Sequence, residues 1–170
     1  MSYPHPAAFP DDQLLKQCEI GFGRTSGPGG QHRNKVETAV FIKHLPTGVE
    51  ASASERRKQF ENRVMALKRL RLKLATNIRN AVHPQRHKPS ELWVSRRQGP
   101  QMSVNPQHRD YPALLAEAMD VIWARKFDVA GAAGVLGITM SQLAKLVRHE
   151  KHAFTLLNQG RTDRGLPALK

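Results

Sequence analysis

Gly27-Pro28-Gly29-Gly30-Gln31-His32-Arg33-Asn34-Lys35 is the stretch from which the rest of the chain is read. Gly27, Gly29 and Gly30 are free to take positive φ, Pro28 fixes its own φ, and Gln31 stands at the tip with one amide side chain. A loop of this kind can press backbone N–H groups against a substrate. A Gly-Pro-Gly-Gly run taken alone also reads as an ordinary surface turn or linker. Its flanks argue otherwise, with Arg24-Thr25-Ser26 before the loop and His32-Arg33-Asn34-Lys35 after it. Further on, Ala39-Val40-Phe41-Ile42-Lys43-His44-Leu45-Pro46-Thr47-Gly48 reads as a strand running into a turn.

Composition narrows the partner. The 170 residues suffice for two small domains, and 27 Lys and Arg against 14 Asp and Glu give a formal net charge of +13. That excess favours a polyanion. No long apolar span or signal-type segment argues for a membrane. The single Cys18 excludes an intrachain disulfide framework and fits a reducing compartment, which makes the cytoplasm the expected location. His83 with His87 and His149 with His152 have helix-like spacings. Pro84 interrupts the first pair and no further cysteine supports the second, so no metal is expected.

Periodicity divides the chain into five parts. Residues 1–10, with three prolines, read as a disordered leader. Residues 11–82 form the first domain. It comprises a helical turn at Leu14-Leu15, an extended Cys18 to Gly23, the loop, a strand at Thr38 to His44, and a hairpin through Pro46-Thr47-Gly48 to Val49-Glu50-Ala51. A long helix then runs from Glu55, capped by Ser52 or Ser54, with Phe60, Val64, Leu67, Leu70, Leu74 and Ile78 as its apolar stripe. Arg56, Arg57, Lys58, Arg63, Lys68, Arg69, Arg71, Lys73 and Arg79 occupy its other faces. They read as RNA contacts or as a solvated face, and the scarcity of acidic i,i+4 partners favours RNA.

Residues 83–108 contain four prolines and read as a basic linker, with Leu92-Trp93-Val94 as one docking point. Trp93 is expected to be packed rather than stacked on a base. Residues 109–160 read as helices at Tyr111 to Lys126, Val129 to Leu136 and Thr139 to His149. Gly137 makes the turn, and Thr139 with Gln142 forms a capping box. This spacing resembles a helix-turn-helix, whose outward Ser141, Gln142, Lys145 and Arg148 would form a second nucleic-acid face; a plain helical bundle fits equally well. Residues 161–170 read as a polar tail.

The ordered run from about Cys18 to Leu74 resembles the catalytic domain of class I peptide chain release factors. The match is carried by Arg-x-Ser-Gly-x-Gly-Gly-Gln-His-x-Asn-Lys, by Ala-Val-x-Ile-x-His-Leu-Pro-Thr-Gly, and by Glu55-Arg56 before the helix. Arg33 departs from it, standing where a small aliphatic residue is expected. The resemblance implies an α+β fold with a short sheet and a long basic helix, here followed by a small all-α region. It also implies hydrolysis of the peptidyl-tRNA ester in the peptidyl transferase centre, with Gly29, Gly30 and Gln31 as the catalytic tripeptide. Arg24, His32, Arg33, Asn34 and Lys35 are the expected RNA contacts around it.

On the same resemblance the Gln31 backbone N–H meets the charge developing on the carbonyl oxygen. The Gln31 side chain orients or admits water, excludes larger nucleophiles, and is a candidate substrate for a glutamine methyltransferase. No cofactor is implied. Only a short leader precedes Cys18 where decoding members carry further domains, so the chain resembles the stand-alone, codon-independent members that rescue stalled ribosomes. It is expected to be monomeric off the ribosome. A noncatalytic RNA- or DNA-binding regulator built on the C-terminal helices is the other reading.

Overall fold

The computed structural model describes residues 4–24 and 37–170. They form two compact units, Phe9–Leu74 and Ala75–Lys170, the second together with the N-terminal residues through Ala8. The class is α+β.

The first unit is built on a three-stranded antiparallel sheet in the order β1-β2-β3, with β1 at Cys18–Gly23, β2 at Ala39–His44 and β3 at Glu50–Ala53. Alternation in β2 follows the pleat: Val40, Ile42 and His44 are buried while Phe41 and Lys43 face outward. A short helix α1 (Asp11–Lys16) leads into β1. The His-Leu-Pro-Thr-Gly motif forms a turn that is also tied to Gln17 at the end of α1. Gly48 takes φ +73°, and its N–H donates to His44 O at 2.8 Å. The His44 ring is held at Nδ1 by Thr47 Oγ1 (2.7 Å) and at Nε2 by Gln17 Oε1 (2.9 Å). Burial lowers the His44 pKa, so the ring is neutral.

Helix α2 spans Gln59–Asn77, so it starts four residues after the expected Glu55. The cause is local. Asn62 Oδ1 accepts from Arg56 N (2.9 Å) and its Nδ2 donates to Arg56 O (3.0 Å), holding residues 55–58 in a bend outside the helix. Ser54 is therefore not a cap; its N–H donates to Glu55 Oε2 instead. The buried line of α2 is Asn62, Ala66, Leu70 and Leu74, a strict i,i+4 series, whereas Phe60 and Val64 from the expected stripe are exposed. Arg69 donates to Ser52 O and Lys73 to Glu50 O. Four helix residues and two strand residues both advance about 6 Å, so α2 runs antiparallel to β3.

The second unit is helical: α3 (Glu91–Arg96), α4 (Tyr111–Ala124), α5 (Val129–Leu136), α6 (Met140–Arg148) and α7 (Lys151–Asp163), with a small hairpin of β4 (Arg97–Gln98) and β5 (Gln101–Met102). Helix α4 is its centre, with Leu114, Leu115, Ala118, Val121 and Ile122 buried. The leader differs from expectation from Pro4 onward. Pro6–Ala8 forms a 3-10 turn packed against α4, and His5 Nε2 meets Ile78 O at 2.9 Å.

The expected linker is also structured, because it supplies partners that helix ends lack. Trp93 Nε1 donates to Leu136 O at the end of α5 (2.9 Å), Arg97 Nη1 to Gly137 O (3.4 Å), and Thr139 N to Pro100 O (3.0 Å). Trp93 is fully buried, as expected. The tail folds back too, with Arg161 Nε donating to Pro167 O and Leu169 N to Asn158 Oδ1.

Glycine matters at two places here. Gly137 takes φ +72°, and a Cβ there would lie 1.8 Å from Arg97 Nη1. Gly160 lets the Phe127 ring approach within a space that a Cβ would invade to 2.3 Å. Phe127 is itself left-handed at φ +66°, its carbonyl accepting from the buried Arg161 guanidinium at 2.8 Å. Among the described residues no single helix is long and apolar enough to cross a membrane; α5 and α6 would pass only as a pair bent by 100°.

Candidate functional site

Gly29, Gly30 and Gln31, together with His32, Arg33, Asn34 and Lys35, lie outside the described residues. The frame that carries them is described. β1 ends at Gly23 and β2 begins at Ala39, and these two residues pair directly in the antiparallel register. The segment therefore leaves and returns on neighbouring strands. On the return side Asn62 Nδ2 donates to Thr38 O (2.7 Å) and Gln59 Nε2 to Glu37 O (2.7 Å). The start of α2 thus clamps the two residues that follow the segment. Asn62 is fully buried and its amide oxygen and nitrogen both have partners.

The expected RNA-binding cations fall into two groups. Arg24, Arg56, Arg57, Lys58 and Arg63 are exposed. No side-chain hydrogen bond or ion pair with another described residue engages Arg56, Arg57 or Arg63. The others are used internally. Arg69 forms a forked pair with Glu55, in which the guanidinium hydrogen bond holds the Glu55 carboxyl at about 2, well below its ordinary range. Arg71 pairs with Asp11, Lys73 serves Glu50 O, and Lys68 is half-buried. Arg79 belongs to the helical unit, where its Nη1 reaches Asp120 Oδ1 at 3.0 Å.

The second face is partly committed as well. Thr139 Oγ1 accepts from Gln142 N (3.2 Å), one half of the expected capping box. The other half is missing because Gln142 Oε1 accepts from Met102 N (3.3 Å). Arg148 donates to Lys170 O and sits 5.0 Å from the Phe154 ring centroid. Ser141 and Lys145 remain exposed. A groove of about 210 Å³ runs between Met102 and Val104 on one side and Lys145 and His149 on the other.

Sequence reasoning passed over Asn62 and Gln59, the side chains that clamp the residues after the tripeptide. The available signal was a polar residue in register with Ala66, Leu70 and Leu74, a position that only a fully satisfied amide can fill.

A small antiparallel sheet with one long helix antiparallel to its edge strand, and a glycine-rich segment between paired strand ends, defines a compact α+β domain. The family described as the RF-1 domain matches residues 14–113, well over half of the chain, and the chain belongs to that family. It is 53% identical over 57 residues to peptide chain release factor 1 of Mycoplasma genitalium, covering 34% of this chain and 16% of that protein. It is 57% identical over 58 residues to peptide chain release factor 1 of Ureaplasma parvum, with 34% and 16% covered. A chloroplastic peptide chain release factor of Arabidopsis thaliana is 54% identical over 66 residues, 39% of this chain and 14% of the relative. The chain thus spans about a sixth or less of the length of these relatives.

Proposed function

We propose that this chain hydrolyses the ester joining peptide to tRNA on the ribosome, without reading a codon, and so frees stalled ribosomes in the cytoplasm. The observation that carries this is the Gly29-Gly30-Gln31 sequence inside the RF-1 domain match. Water attacks the ester carbonyl, negative charge builds first on the carbonyl oxygen and then on the departing ribose oxygen, and the Gln31 backbone N–H meets it. One well-placed donor of this kind is worth about 10²–10³ in rate. The Gln31 side chain admits water and excludes larger nucleophiles, and its amide is a candidate for methylation by a glutamine methyltransferase, which intact mass would reveal. Exposed Arg24, Arg56, Arg57, Lys58 and Arg63 supply phosphate contacts to large-subunit RNA.

Release of labelled peptide from ribosomes carrying peptidyl-tRNA tests the proposal, with the A-site mRNA absent, sense or stop. Wild type is expected to release on truncated mRNA, and Gly30→Ala to release at least about 10²-fold more slowly. Equal release by the two proteins overturns the catalytic role; release only at stop codons overturns codon independence.

The bend between α5 and α6 keeps a second reading in play, a nucleic-acid-binding regulator. It has less support, because a recognition helix reads bases with its first residues. In α6 the Gln142 side chain there is occupied by Met102 N. Tight sequence-specific duplex binding without ribosome association would favour that reading.

A further inference from the structure

Helix α2 opens with two apolar side chains that the core leaves outside. Phe60 and Val64 lie one turn apart and are 64% and 63% exposed. Scattered surface apolar residues are ordinary and need no partner. These two sit among cations. Arg56, Arg57 and Lys58 precede Phe60 with Gln59 between, Arg63 lies between the pair, and all four are exposed. Glu61 is the only acidic residue between positions 56 and 73. The Lys58 ammonium stands 5.9 Å from the centroid of the Phe60 ring. An apolar patch ringed by positive charge that no described carboxylate neutralises repels most basic protein surfaces and suits a polyanion that also has flat apolar faces. Unpaired RNA has both, phosphates for the cations and base faces for an aromatic ring.

We propose that Phe60 is a stacking platform for an unpaired RNA base, with Val64 extending its apolar floor and Arg56, Arg57, Lys58 and Arg63 holding the flanking phosphates. This rests on the ribosomal function proposed above and names an RNA contact of that domain. The platform adjoins Gln59, whose side chain is bonded to Glu37 O, so a base seated on it is held beside the clamp that follows the tripeptide segment.

The test measures affinity for purified large ribosomal subunits across a salt series, together with peptide release, for wild type, Phe60→Leu, Phe60→Ala and Phe60→Tyr. Phe60→Leu is expected to weaken binding about ten-fold at every salt concentration with an unchanged salt slope, because the stack is lost and the cations remain. Phe60→Tyr keeps wild-type affinity, and thermal stability stays the same in all variants because the side chain is exposed. Wild-type affinity in Phe60→Leu overturns the platform, as does a loss seen only in Phe60→Ala, which would mean apolar packing against a protein. A wild type that binds no large subunits overturns it too. If Phe60→Leu weakens binding while wild type releases no peptide, the platform stands and the catalytic function falls. If wild type releases peptide and Phe60→Leu binds and releases equally well, the platform falls alone.

Discussion

Asn62 joins three pieces of chain through one amide: it accepts from Arg56 N, donates to Arg56 O, and donates to Thr38 O. Asn62→Ala leaves the buried Thr38 carbonyl without its partner and frees the bend before α2. Such a loss costs about 1–3 kcal/mol. Urea unfolding is expected to show that drop, with slower peptide release because Thr38 no longer anchors the strand leaving the tripeptide segment. A variant as stable as wild type would remove the clamp from the account. At this scale legibility was uneven. The His44-to-Gly48 turn stood out because its Thr47 and Gly48 bonds are local, although the Gln17 bond to His44 is not. Asn62 did not, because apolar residues occur on two faces of α2 and the Phe60–Val64 face made the more continuous stripe, although burial follows Ala66, Leu70 and Leu74.

Helix α2 shows why counting cations along an element overstates its electrostatic footprint. Arg69 is neutralised by Glu55, whose depressed pKa keeps it ionised throughout the working pH range, whereas Arg57 is exposed without a described partner. Arg57→Gln is expected to reduce the slope of log affinity against log salt by about one, the signature of one lost phosphate contact. Arg69→Gln leaves the slope nearly unchanged, and Glu55→Gln raises it by freeing Arg69. Equal slopes for Arg57→Gln and Arg69→Gln would show that the internal pair opens on RNA. Residues 83–108 teach the same lesson about elements. Prolines made them read as a linker, yet Trp93, Arg97 and Pro100 each satisfy a backbone group at the α5–α6 turn. Those partners lie some 40 residues away in sequence, where no local pattern points. Helices α5 and α6 were legible nearly to the residue because Asp128, Gly137 and Thr139 mark their ends chemically.

Across the whole molecule the two units carry titrating groups whose linkages have opposite sign. In the sheet unit burial lowers the His44 pKa below 6.5. Above that pH the ring is neutral folded and unfolded, so its contribution is fully present; as pH falls, the unfolded chain takes up the proton first and the contribution is lost. In the helical unit burial raises Asp120 from 3.8 to about 7, against the opposing pull of Arg79 and the Asn80 N–H. Below 3.8 both states are protonated and the contribution is complete. As pH rises from about 4 to about 7 the unfolded carboxyl ionises while the folded one keeps its proton, and stability falls by at most about 1.4 kcal/mol per pH unit. Both tryptophans, Trp93 and Trp123, lie in the helical unit, so tryptophan fluorescence in urea reports that unit alone. Its unfolding midpoint is expected to fall between pH 4 and 7 in wild type and to fall less in Asp120→Asn, which cannot ionise there. Hydrogen-exchange protection in β2 should move the other way, weakening as pH drops below 6.5. Identical pH slopes for wild type and Asp120→Asn would mean that Arg79 holds Asp120 ionised throughout, and that the salt bridge, not burial, governs the centre of the helical unit.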